Sequence, residues 1–131
     1  MTFATIGCKV MTNHINRFSL EGKVALVTGS TKGLGLAMAG ALGEAGARVA
    51  INYYNDEEKA LAARARLDQM DCQTELFKAD VTDEKEVNQM ADDIEQSMGP
   101  VDVAVINATC DQPHHPIEEY SWEFCQSMLD F

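Results

Sequence analysis

Val24-Ala25-Leu26-Val27-Thr28-Gly29-Ser30-Thr31-Lys32-Gly33-Leu34-Gly35 is the stretch that decides the fold. Its first four residues form an unbroken apolar run, as a strand covered on both faces requires. Three glycines follow in the spacing G-x-x-x-G-x-G. A small-residue stretch then places Leu34, Met38, Ala41, Leu42 and Ala45 on one predicted helical face. Each glycine has a physical task in this setting. Gly29 turns the chain tightly off the strand end, Gly33 removes a Cβ where backbone must approach a phosphate, and Gly35 lets helix and strand pack closely. The first N–H groups of the helix and its dipole then face that phosphate. A purely structural glycine turn would show the same letters. The strand before it and the helix after it favour nucleotide binding.

The same alternation continues along the chain. Gly46 suits a helix C-cap, and Arg48 to Tyr53 reads as a second strand. Asn55 with Glu58 forms a capping pair that opens a helix through Leu61, Arg64 and Leu67, ending near Met70. Thr74 to Ala79 is a third strand. Thr82 is the predicted N-cap of a helix whose apolar positions Val87, Met90, Ala91, Ile94 and Met98 recur at helical spacing, and Gly99-Pro100 ends it. Val101 to Ile106 is a fourth strand. A loop with Pro113 and Pro116 leads to a last helical piece from Ser121 onward. Such alternation predicts an α/β fold with a parallel sheet, helices on both faces and right-handed crossovers. The expected strand order is 3-2-1-4, a partial Rossmann fold, meaning part of a doubly wound parallel sheet. Residues 1–20 read as an N-terminal extension that need not be ordered, with Met11 as an alternative start, and residues 21–131 as a dinucleotide-binding half-domain.

Composition narrows the function classes. A chain of 131 residues with 46% hydrophobic and 24% charged residues is an ordinary globular domain with room for one core. The net charge of −11 argues against nucleic-acid binding, because that affinity comes mostly from Lys and Arg meeting phosphates. The acidic clusters, such as Asp92-Asp93 with Glu95, read as solvated helix faces and first turns. No run approaches the roughly 18 apolar residues of a membrane span, and Met1 to Phe18 carries no signal-peptide pattern. Cys8, Cys72, Cys110 and Cys125 show neither zinc nor disulfide spacing, which fits a reducing compartment, and the cytoplasm is expected. His114-His115 reads as a loop pair, since adjacent side chains rarely converge on one ion; no metal site is expected.

Phe18-Ser19-Leu20-Glu21-Gly22-Lys23, running into the strand and the T-G-x-x-x-G-x-G motif, resembles the opening of a classical short-chain dehydrogenase/reductase. Asp80-Val81 matches the family's adenine-contacting aspartate and its neighbour. The resemblance implies that Asp80 accepts a hydrogen bond from the adenine amino group; a carboxylate serving the Thr82 cap is the alternative. Ile106-Asn107-Ala108-Thr109 is similar to the family's N-N-A-G run, agreeing at Asn107 and Ala108 and departing at Ile106 and Thr109. Trp122-Glu123-Phe124 and Met128-Leu129-Asp130-Phe131 resemble the following helix. The implied cofactor-binding residues are Gly29, Ser30, Thr31, Lys32, Gly33, Leu34, Tyr53, Asp80, Val81, Asn107 and Ala108. Asn107 is expected to brace the strand ends and line the ribose pocket, and Thr109 puts the local backbone path in question.

A site that prefers NAD places an acid at the end of the second strand, about 20 residues after the glycines. Asn52-Tyr53-Tyr54 stands there instead, and Lys32 lies in the glycine loop, where its charge can neutralise a 2′-phosphate. Arg48 is a weaker second candidate, while Asp56 and Glu57 could oppose this reading. NADP(H) is therefore favoured over NAD(H) on charge complementarity. In this family hydride transfer also uses a serine and a Tyr-x-x-x-Lys pair. Tyr53, Tyr54 and Tyr120 are followed four residues later by Glu57, Glu58 and Phe124, and no lysine follows Lys85. No catalytic residue is assigned. The chain reads as the cofactor-binding portion of an NADP(H)-dependent oxidoreductase that would be roughly twice as long and a homo-oligomer at full length. The alternatives are a non-catalytic nucleotide-binding or regulatory module and, less well matched by the glycine spacing, a Rossmann-like methyltransferase.

Overall fold

The computed structural model describes residues 18–109 and 116–129. Strands β1 (Val24–Val27), β2 (Arg48–Tyr53), β3 (Thr74–Lys78) and β4 (Val103–Val105) alternate with helices α1 (Gly33–Glu44), α2 (Glu57–Asp68) and α3 (Glu84–Met98). A short 3-10 turn at Ile117–Glu119 leads to α4 (Trp122–Leu129). All strand pairs are parallel, and the order is β3-β2-β1-β4, as the alternation predicts. The N-terminal extension up to residue 17, Met11, Cys8, Cys110 and the His114-His115 pair lie outside the described residues.

Side chains alternate across β1, so each face of the sheet builds its own core. Ala25 and Val27, with Val49 and Ile51 of β2, pack against α1 and α2 through Ala39 and Leu67. Val24 and Leu26, with Ala50 of β2 and Phe77 of β3, pack against Met90, Ile94 and Met98 of α3. Burying three such side chains contributes about 1.5–3 kcal/mol each, which is why α3 holds to the sheet with one narrow stripe. Leu20 packs on the first core and its N–H donates to the Ala45 carbonyl.

Several expected details differ. α1 buries Gly35, Ala39 and Gly40, whereas Leu34 is 71% exposed and Ala41 is exposed. The close approach of helix to sheet selects small residues for full burial, while Leu42 of the expected face and Leu36 pack partly buried against the same core. In α2 the buried line is Ala60, Ala63 and Leu67, with Leu61 and Arg64 outside, for the same reason. Ala91 of α3 is exposed. The N-caps are Asp56 and Asp83, not Asn55 and Thr82; each carboxylate accepts backbone N–H bonds from its helix's first turn. The fourth strand is shorter than the run Val101 to Ile106. Just before it, Asp102 still donates its N–H to the Val24 carbonyl at 2.9 Å, while its carboxylate accepts from the Val24 N–H at 2.9 Å and from Lys23 Nζ at 2.7 Å. Within the described residues β4 pairs only with β1, and α4 buries none of its side chains.

Candidate functional site

The C-terminal ends of all four strands open onto one cleft of about 830 Å³. It lies where β1 has β2 on one side and β4 on the other, the reversal of strand order at which α/β sheets bind ligands. The volume is that of a small-molecule site.

The glycine loop forms one wall. Gly29 has φ +60°, the left-handed conformation that lets the chain leave β1, and a Cβ there would meet Ala108 Cα at 2.9 Å. A Cβ at Gly35 would stand 2.5 Å from the Gly29 carbonyl oxygen and 2.6 Å from Asn107 Nδ2, so only glycine allows α1 to start against the loop. A Cβ at Gly33 would meet no protein atom within 4 Å. α1 has Lys32 as its N-cap and no side-chain cap, whereas α2 and α3 are capped by aspartates. Its first N–H groups, having no intrahelical acceptor, are left for an anion, and the helix dipole adds to their pull.

The other wall is a set of braces between strand ends. Thr28 Oγ1 accepts from the N–H groups of Asn107 (2.8 Å) and Ala108 (3.0 Å). Asn107 Nδ2 donates back to the carbonyl of Thr28 at 3.0 Å and to that of Gly29 at 3.3 Å. Asn107 thus braces β4 against β1, as expected of it. Thr109 lies in the cleft wall, and among the described non-glycine residues only Asp71 has a positive φ, so nothing in the backbone path demands the family's glycine there. Across the cleft, Asp80 Oδ1 accepts from the hydroxyl and the N–H of Thr82. Those bonds, the hydroxyl's first, hold its carboxyl below the usual range, so it is ionised at neutral pH. The cap alternative for this aspartate is half right: it serves Thr82, while the helix itself is capped by Asp83. Its second oxygen, Oδ2, has no bond within the described residues.

Ten of the eleven residues singled out by sequence line this cleft: Gly29, Thr31, Lys32, Gly33, Leu34, Tyr53, Asp80, Val81, Asn107 and Ala108. Ser30 is not in its wall. It is fully buried, its hydroxyl donates to the Val27 carbonyl at 2.7 Å and its N–H to the Asn52 carbonyl at 3.2 Å. Arg48 sits at the opposite end of β2 from Tyr53, roughly 16 Å away at strand rise, and lines a separate small hollow with Arg64 and Asp68. It cannot reach the cleft. Asp56 lies within the electrostatic reach of Lys32. Its carboxylate is engaged by the N–H and Nζ of Lys59, whose bonds lower its pKa first, with the charge of Lys32 contributing less. Sequence reasoning missed Asn52, Tyr54, Asn55, Ala79 and Thr82 as wall residues. Their adjacency to Tyr53 and Asp80 was the available sign. Among the described residues no group of three or more His, Cys, Asp or Glu side chains comes together, and no helix is long and apolar enough to cross a membrane.

The fold and the cleft define a Rossmann-type nucleotide-binding domain. The chain belongs to the short-chain dehydrogenase family, whose family model matches residues 23–131. It is 39% identical over 94 residues to 2-dehydro-3-deoxy-D-gluconate 5-dehydrogenase of Formosa agariphila, covering 72% of this chain and 36% of that protein. It is 39% identical over 103 residues to 5-keto-D-gluconate 5-reductase of Escherichia coli, covering 79% and 40%. Among solved structures, a gluconate 5-dehydrogenase from Burkholderia cenocepacia in complex with NADP and tartrate matches with a TM-score of 0.75 and 32% identity, over 89% of this chain and 45% of that one. The chain therefore spans about two fifths of the length of these curated relatives. The family binds a dinucleotide. The residues present fit one: an uncapped helix start, open space beside Gly33 and an ionised Asp80 with a free oxygen.

Proposed function

We propose that residues 21–131 form the dinucleotide-binding half of an NADP(H)-dependent oxidoreductase acting on a carbonyl or alcohol. The N–H groups at the start of α1 hold the pyrophosphate, Asp80 and Val81 bind the adenine, Asn107 and Ala108 line the ribose side, and Lys32 meets the 2′-phosphate. Tyr53, at the end of β2, provides a face for the adenosine. When bound, the cofactor supplies or accepts the hydride. The chain's own residues bind, orient and exclude water, and no residue of 1–131 is assigned to proton transfer, because no Tyr-x-x-x-Lys pair lies in this sequence. Assembly of the whole enzyme as a homo-oligomer and a cytoplasmic setting belong to the same proposal.

The preference for NADP(H) is supported by the distribution of charge around the cleft. Lys32 occupies the N-cap position of α1 at the cleft with no side-chain cap bond, the end of β2 carries no acid, and the nearby Asp56 is bonded to Lys59. A charge-assisted contact to a phosphate contributes about 1.5–3 kcal/mol. Lys32→Ala is therefore expected to weaken NADPH binding roughly 10- to 100-fold and to change NADH binding less than about threefold. Fluorescence titration of both cofactors measures this. Equal losses for the two cofactors would refute the assignment.

A further inference from the structure

The Asn52 side chain touches the glycine loop, the segment leading from β3 to Asp80, and α3. It is 2% exposed, at the next-to-last position of β2. Its Oδ1 accepts from the Gly29 N–H at 3.1 Å. Its Nδ2 donates to the Ala79 carbonyl at 3.1 Å, with the Phe77 carbonyl and Met90 Sδ each 3.4 Å away. Its own carbonyl accepts from the Ser30 N–H. One residue thus fixes both N–H groups at the start of the loop and the last carbonyl before Asp80.

We infer that Asn52 is a positioning residue for the cofactor: it sets the spacing between the glycine loop and Asp80, so that pyrophosphate and adenine sites fit one ligand. This rests on the proposed dinucleotide function. The residue must accept from Gly29 and donate to Ala79 at once, and an amide does both. A leucine would do neither. A neutral carboxylic acid can do both, whereas a carboxylate can only accept. The bonded partners, Gly29, Phe77, Ala79 and Met90, carry no titratable side chain, and Asp80 stays ionised through the range tested because its pKa is lowered. Burial opposes ionisation of a carboxyl introduced here, so its pKa rises.

The test is Asn52→Asp, with NADP+ affinity read by calorimetry at pH 5.5 and pH 8 as a ratio to the wild-type chain at the same pH. That ratio cancels titration of the ligand phosphate. Circular dichroism checks folding at each pH. The expected result is near-wild-type affinity at pH 5.5 and roughly tenfold weaker binding at pH 8, the worth of about one buried hydrogen bond. Asn52→Leu is expected to be weak at both. A constant ratio across pH overturns the inference alone, since wild-type binding then stands. An Asn52→Asp chain unfolded even at pH 5.5 also overturns it, because the residue would then serve the fold only. Absence of NADP+ binding by the wild-type chain overturns the functional reading and the inference together.

Discussion

Replacing Thr28 with valine keeps the shape of the side chain and removes one oxygen. That oxygen accepts both the Asn107 and the Ala108 N–H, and Thr28 is 4% exposed. An unsatisfied buried donor costs about 1–3 kcal/mol. Asn107 and Ala108 are only half-buried, so water recovers part of the loss, and about 2 kcal/mol in total is the reasonable sum. For a domain of this size that lowers Tm by roughly 8 °C. Thr28→Ser keeps the oxygen and deletes a methyl, costing about 1 kcal/mol. Thermal unfolding followed by circular dichroism ranks the three chains wild type, then Thr28→Ser, then Thr28→Val. Burial alone gives the opposite order for the two variants, because valine is the more apolar. A valine chain as stable as the wild type, or more stable than the serine chain, would refute the claim that this hydroxyl ties β4 to β1.

Gly35→Ala forces a Cβ to within 2.5 Å of the Gly29 carbonyl oxygen, where backbone must move. A loss of about 1–3 kcal/mol in chemical denaturation, with weaker NADP+ binding, is expected; an unchanged midpoint would show that α1 can shift without cost. Asp102 is held below the usual carboxylate range by the Lys23 side chain first and the Val24 N–H second. A lowered folded pKa stabilises above the unfolded value near pH ~3.9 and is lost as pH falls through the folded one. Asp102→Asn is therefore expected to be less stable at neutral pH and to lose less stability on acidification below about pH 4. Acid titrations that run parallel for the two chains contradict this.

The legible parts of the molecule are those set by local pattern. The Val24–Val27 run, the glycine spacing and the strand–helix alternation carry the sheet order, and the Met90, Ile94 and Met98 stripe marks the buried side of α3. The α1 face was only partly legible: Leu42 packs on the core as its position suggested, but close packing onto the sheet fully buries Gly35, Ala39 and Gly40 and turns Leu34 outward, against the rule that large apolar residues go inside. The caps moved by one residue where two cap-forming side chains stand together, Asn55 beside Asp56 and Thr82 beside Asp83. Asn52 was visible only as a missing acid. Its bonds reach residues 23 to 38 positions away, and no local spacing encodes those. Ser30 sits inside the motif, yet its hydroxyl turns back to Val27 and leaves the cleft to its neighbours.

The cleft at the strand ends is expected to bind the cofactor. Amide NMR shifts of the chain titrated with NADP+ test it most directly. The expected result is saturable shifts at Gly29 to Gly35, Asp80, Val81, Asn107 and Ala108, with Arg48 and Arg64 unmoved. No saturable shift, or shifts gathered around Arg48 and Arg64 instead, would contradict the account.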